Sequence, residues 1–148
     1  MTTTTQSPAR LITTPIVASA RAGALGGLVA GMVFGMAMSM MDMMSAVAML
    51  VGSHSLFVGW MVHMMISIGT GVAFAVALPR LNGVGAALGV GMAYGMALWV
   101  GGALIAMPAR LGMPVLAFDA MAWKSLMGHL MFGAILGAVV ASARRRQV

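Results

Sequence analysis

Apolar residues run through the chain in four long blocks, each closed by a polar or helix-breaking group, and nowhere do they alternate with polar residues at period two. A helix needs about 20 predominantly apolar residues to cross the ~30 Å hydrocarbon core of a bilayer. Blocks of that length fall at about 23–47, 56–78, 85–107 and 124–143. The first runs from Ala22 to Gly52 with Asp42 as its only charge, and the second is bounded by Ser53-His54-Ser55 and by Pro79-Arg80. The third follows Asn82-Gly83 and stops at Pro108, which lacks the amide hydrogen a helix interior requires and biases the residue before it away from helical geometry. The fourth begins at Lys124 and ends at Arg144-Arg145-Arg146. The pattern predicts an all-α polytopic membrane protein of four transmembrane helices, and the lack of period-two alternation argues against a membrane barrel.

Composition sharpens this expectation. Of the 148 residues 61% are hydrophobic and 7% charged, whereas a soluble domain carries about a quarter charged residues. A water-soluble enzyme is excluded on that ground, the absence of cysteine excludes a disulfide-stapled domain, and the apolar excess excludes disorder for most of the chain. The eight basic residues give a direction. In a four-span arrangement Arg10, Arg21, Arg80, Arg144, Arg145 and Arg146 fall on one side and Arg110 and Lys124 on the other. The positive-inside rule then places both termini and the 79–84 loop in the cytoplasm, with Trp60 and Trp123 near the outer interface. Residues 1–22 are Thr-rich and read as a disordered cytoplasmic tail. Their Leu11–Val17 apolar run is too short and too polar to make Ala18-Ser19-Ala20 a convincing leader cleavage site. Residues 144–148 read as a basic tail held at the anionic inner leaflet, not as a nucleic-acid patch.

The two halves match each other. Gly31-Met32-Val33-Phe34-Gly35-Met36-Ala37-Met38 aligns with Gly91-Met92-Ala93-Tyr94-Gly95-Met96-Ala97-Leu98 at an offset of 60 residues. His63-Met64-Met65 aligns with His129-Leu130-Met131, and Gly71 with Gly137, at an offset of 66. A tandem duplication of a helical hairpin is expected, the copies related by a pseudo-two-fold along the membrane normal, as in parallel-repeat transporters. In lipid, helices associate through small residues that let backbones approach. Gly27, Gly31, Gly35 and Ser39 form such a stripe on the first span, Gly91 and Gly95 repeat it on the third, and Gly133 and Gly137 form a pair on the fourth. These glycines predict a tight bundle, and a stripe left over could join two copies in a homo-oligomer.

Ionisable residues inside a span are costly and mark candidate sites. Asp42, His63 and His129 are those residues, and at 1.5 Å rise per residue they lie about 8, 10 and 8 Å below the outer ends of their helices. A polar cluster in the outer leaflet is expected, with the histidines across the pseudo-two-fold. Met32, Met36, Met40 and Met44 form a second stripe beside the glycines. Thioether and imidazole ligands suit Cu(I), so Met36, Met40, Met44, His63 and His129 are candidate ligands for a soft cation. Methionine is equally an adaptable packing residue, and each imidazole could simply bond a backbone carbonyl and pin two helices. Two histidines on different helices could also hold a haem axially, against which the close-packed glycines leave little room for a macrocycle. No glycine run follows a strand or carries the Lys and Ser/Thr of a phosphate loop.

Gly59-Trp60-Met61-Val62-His63 with Ile66-Ser67, Ser125-Leu126-Met127-Gly128-His129, and Met107-Pro108 with Leu111-Gly112-Met113-Pro114 resemble a group of small four-span bacterial membrane proteins with no established activity. The resemblance covers most of 23–143 and implies a fold and a location in the bacterial inner membrane. The MxxxM and GxxxG spacings also resemble the eukaryotic copper-transporter family, from which the chain departs in carrying both on one helix and in having four spans where that family has three. Two functions therefore stand open: a non-enzymatic protein that binds or passes a soft cation or proton through Asp42, His63 and His129, or a structural or accessory subunit without a ligand.

Overall fold

A computed structural model describes residues 8–78 and 83–145, with side chains from residue 16 onward. Six α-helices and one π-helical segment form the described chain, with no strand among the described residues: α1 (Pro8–Met40), α2 (Met44–Met49), α3 (Leu56–Ala77), α4 (Val84–Leu98), the π-helical turns Trp99–Ala106, α5 (Met107–Leu111) and α6 (Ala120–Arg145). Four stretches are long and apolar enough to cross a membrane: Ile16–Met40, Leu56–Ala77, Val84–Leu111 and Ala120–Arg145. Residues 1–7, most of the 79–84 loop with Arg80, and Arg146 lie outside the described residues.

The first span differs from expectation at both ends. The segment expected to be an unstructured tail to residue 22 is helical from Pro8, where a proline without an amide hydrogen fits the first turn. At the other end the helix stops at Met40, seven residues before the expected 47, although the sequence stays apolar. The chain turns at Met41–Asp42, with Asp42 in the left-handed region at φ 55°, and resumes as the short α2. Asp tolerates that conformation better than the methionines around it. The third span does not stop at Pro108 as expected but runs on to Leu111, because Pro108 falls in the first turn of α5, where its missing amide hydrogen is tolerated, and the fourth begins at Ala120, four residues before Lys124. Leu78, ahead of Pro79, is extended and closes α3, while Gly112 at φ 68° closes α5 with the Met113 amide on the Pro108 carbonyl at 2.9 Å. Asp119 starts α6 by accepting the Ala122 amide at 2.8 Å.

Packing is written in the glycines. A Cβ on Gly23, Gly27 or Gly31 would run into Gly71 and Ser67 of α3, and one on Gly91 or Gly95 into Gly133 and His129 of α6. Gly137 meets Ala87 in the same way. Each hairpin, α1 with α3 and α4 with the π-helical turns and α6, is therefore closed by backbone-to-backbone contact. The hairpins join along α1 and α6, where Gly26 receives Leu136 and Val140, and Gly128 receives the Phe34 ring. The core between them holds Ala30, Phe34, Met38, Met44, Phe74, Phe132, Leu136 and Val140. Helices α3 and α4 meet through Tyr94, whose hydroxyl donates to the Thr70 carbonyl at 2.9 Å and whose ring packs on Phe74. At the end near the chain termini, Arg144 of α6 donates to the Ala75 and Leu78 carbonyls, placing a cation on the open C-terminus of α3.

Candidate functional site

His63, buried, and His129, partly buried, both pack against Phe34. The close α1–α3 approach allowed by Gly31 and Gly35 brings the His63 ring against α1, where its Nε2–H donates to the Gly31 carbonyl at 2.9 Å. The Ser67 hydroxyl lies 3.4 Å from the same nitrogen. Trp60, one turn earlier on α3, lies over Gly35 and meets the imidazole edge-on at 6.2 Å between ring centres. His63 and Ser67 are both buried. His129 uses the other nitrogen: its Nδ1–H donates to the Ser125 carbonyl one turn back on its own helix at 2.8 Å, with the Ser125 hydroxyl 3.4 Å away. The two histidines thus occupy matching places in sequence but make different bonds, one between helices and one within a helix.

Phe34 makes edge-to-face contacts with both imidazoles, its ring centre 5.7 Å from that of His63 and 4.9 Å from that of His129, and it also packs on Phe132. Gly128 leaves the room that the Phe34 ring takes beside the histidines. His63 Nδ1 and His129 Nε2 have no hydrogen-bond partner among the described residues.

The expected cluster is dispersed. Asp42 lies not within a span but in the turn after α1, where it is exposed, its backbone carbonyl accepting the Ser45 hydroxyl at 3.3 Å. Composition alone could not place the break, because Met43, Met44 and Val47 continue the apolar run beyond it. Among the described residues no three His, Asp or Glu side chains gather as a metal site. The methionine stripe is also divided. Met36 is 51% and Met40 87% exposed on the outer side of α1, whereas Met44 is 1% exposed on α2, packed on Gly59. The reason is steric: only glycine fits the face of α1 that meets α3, so the neighbouring methionines are turned to the lipid side. Every glycine expected at a helix contact, Gly27, Gly31, Gly35, Gly91, Gly95, Gly133 and Gly137, is at one. Ser39, the last member of the first stripe, has its hydroxyl oxygen buried without a hydrogen-bond partner among the described residues.

Sequence reasoning passed over Phe34, Trp60 and Gly128 as parts of this site. A signal was present: Phe34 is the one large aromatic within the first glycine stripe, and Gly128 directly precedes a candidate histidine. Compared with known protein families, with curated proteins and with solved structures, the chain matches none.

Proposed function

We propose that this protein is a structural or accessory subunit of a bacterial inner membrane, built from two tandem hairpin repeats with both termini in the cytoplasm, and that His63 locks two of its helices together while His129 is held on its own helix. One observation carries this reading: the polar hydrogen of each imidazole is given to a backbone carbonyl of the bundle, and the Phe34 ring packs edge-on against both. The repeat is supported by the pairing of Gly31 with Ser67 and of Gly91 with Gly133, contacts related by the same offsets as the sequences. The pseudo-two-fold relates the two hairpins internally better than it relates their joining surfaces, since α1 packs along α6 while α3 and α4 meet through Tyr94. Orientation rests on the six basic residues of one side, among them Arg21, Arg144 and Arg145.

A second reading, passage of a proton or weak binding of a soft cation, is favoured by the one unbonded nitrogen on each imidazole. His63→Ala and His129→Ala separate the two. In a helix-locking protein His63→Ala lowers stability by about 1–2 kcal/mol, the scale of a hydrogen bond between membrane helices. His129→Ala, which breaks a bond within one helix, costs less. Elemental analysis after Cu(I) loading then finds no stoichiometric metal in wild type or variants. Metal bound by wild type and lost from both variants, or a proton-linked signal lost from both, would establish the second reading instead.

A further inference from the structure

The connection between α5 and α6 is an unusual loop. Every residue from Gly112 to Met121 is exposed, yet the segment includes Met113 at 57%, Val115 and Leu116 at 49% and Phe118 at 57% exposure. Residues 112–119 lie at the end of the bundle opposite Arg144, outside the stretches able to cross a membrane. Two physical limits bracket its position. Its backbone cannot sit in hydrocarbon, because the Val115 and Phe118 amides have no hydrogen-bond partner among the described residues and such groups are not tolerated there. Its side chains are too apolar to stand in water, since a contiguous exposed patch of this kind marks an interaction surface. The zone that satisfies both is the headgroup layer, where water reaches the amides and the acyl boundary receives the side chains.

The loop is also held in one shape. The Leu116 amide donates to the Leu104 carbonyl at 2.9 Å, with Leu116 itself in the left-handed region at φ 55°. Trp99 donates from Nε1 to the Ala122 carbonyl at 3.1 Å, and the rings of Trp99, Phe118 and Trp123 pack together. Exposed basic residues flank it on both sides, Arg110 at the end of α5 and Lys124 near the start of α6. The corresponding turn of the first hairpin, Gly52-Ser53-His54-Ser55, is polar, with exposed Val51, Leu56 and Phe57 on either side of it and no basic residue beside it. We propose that Met113–Phe118 is an interfacial anchor seated in the lipid headgroup layer, and that Arg110 and Lys124 hold the phosphate groups of anionic lipid beside it. The anchor would set the depth and tilt of the second hairpin.

The chain has no cysteine, so a single Val115→Cys variant carries an environment-sensitive fluorophore at one place, with Ser53→Cys as the comparison. Both are reconstituted in vesicles of phosphatidylcholine with phosphatidylglycerol. The proposal expects blue-shifted emission at position 115, strong quenching by a nitroxide placed just below the lipid headgroup and weak quenching by aqueous iodide, with the opposite preference at position 53. Quenching at 115 by iodide alone would place the loop in water, and quenching by neither agent would place it against protein. Either result overturns the proposal. The headgroup contact is read separately: nitroxide carried on phosphatidylglycerol quenches position 115 several-fold more than nitroxide on phosphatidylcholine, and Arg110→Gln with Lys124→Gln removes the difference. Equal quenching by the two lipids in the parent protein would refute the phosphate contact.

Discussion

Gly91→Ala tests how much of this bundle depends on backbone contact. A Cβ at Gly91 would lie 3.0 Å from the Gly133 carbonyl carbon and 3.2 Å from the Gly137 Cα, with the Gly133 carbonyl oxygen closer still. All three are main-chain atoms of α6, so no side chain can rotate away. Relief requires α4 and α6 to separate by roughly 1 Å, and a gap of about that size forfeits a quarter to a half of each dispersion contact along the seam. Overpacking of this kind costs about 1–3 kcal/mol, and the backbone origin of the clash puts the expectation at the upper end, about 2–3 kcal/mol. Gly89 on the same helix meets nothing within 4 Å of an added Cβ. Gly89→Ala therefore gains helix propensity without a clash and is neutral or stabilising by up to about 1 kcal/mol. Unfolding in mixed micelles with increasing dodecyl sulfate, followed by circular dichroism, measures both. Equal midpoints for Gly91→Ala and Gly89→Ala would refute the close-contact account of the second hairpin.

Three further outcomes follow from particular contacts. Gly128→Ala drives a methyl group into the Phe34 ring and should cost about 1–3 kcal/mol in the same titration, with Phe34→Leu restoring part of the loss; absence of rescue would show that the ring is not what Gly128 accommodates. Asp119→Ala removes the acceptor for the Ala122 amide at the start of α6 and should lower stability by about 1 kcal/mol, whereas Asp119→Asn should retain most of it. Single cysteines at Ser53 and Gln147 in intact cells should react with a membrane-impermeant maleimide from the outside at Ser53 only, and outside labelling at Gln147 would reverse the orientation.

Much of the fold was legible because the hydrocarbon core imposes a length and because its punctuation is chemical. Pro79, Asn82-Gly83 and the Arg144 run bracket the second, third and fourth spans within a few residues of where the helices begin and end. The first span was misjudged at its C-terminal end because Met43, Met44, Ala46 and Val47 continue the apolar run while the backbone turns at Asp42, and hydropathy does not register a left-handed residue. That single error carried Asp42 into a membrane cluster it does not join. The glycine stripes were legible as contacts, since only glycine permits backbones to meet. The methionine stripe was not, because apolar residues next to a glycine face can point to lipid or inward, and only the packing of Gly35 against Trp60 and His63 decides which. The π-helical turns had only the Gly101-Gly102 pair as a hint. The differing bonds of His63 and His129 had none, because matching sequence positions do not dictate matching rotamers.

The central claim, that His63 locks two helices and that neither membrane histidine holds a ligand, meets its most direct test in the thermal unfolding of the purified wild-type protein with and without Cu(I). A ligand that binds only the folded state at about 100 times its dissociation constant adds about 2.7 kcal/mol. At about 2–4 °C per kcal/mol, such a ligand would raise Tm by several degrees. The account predicts an unchanged Tm. A rise of that size in wild type that disappears in His63→Ala would contradict it.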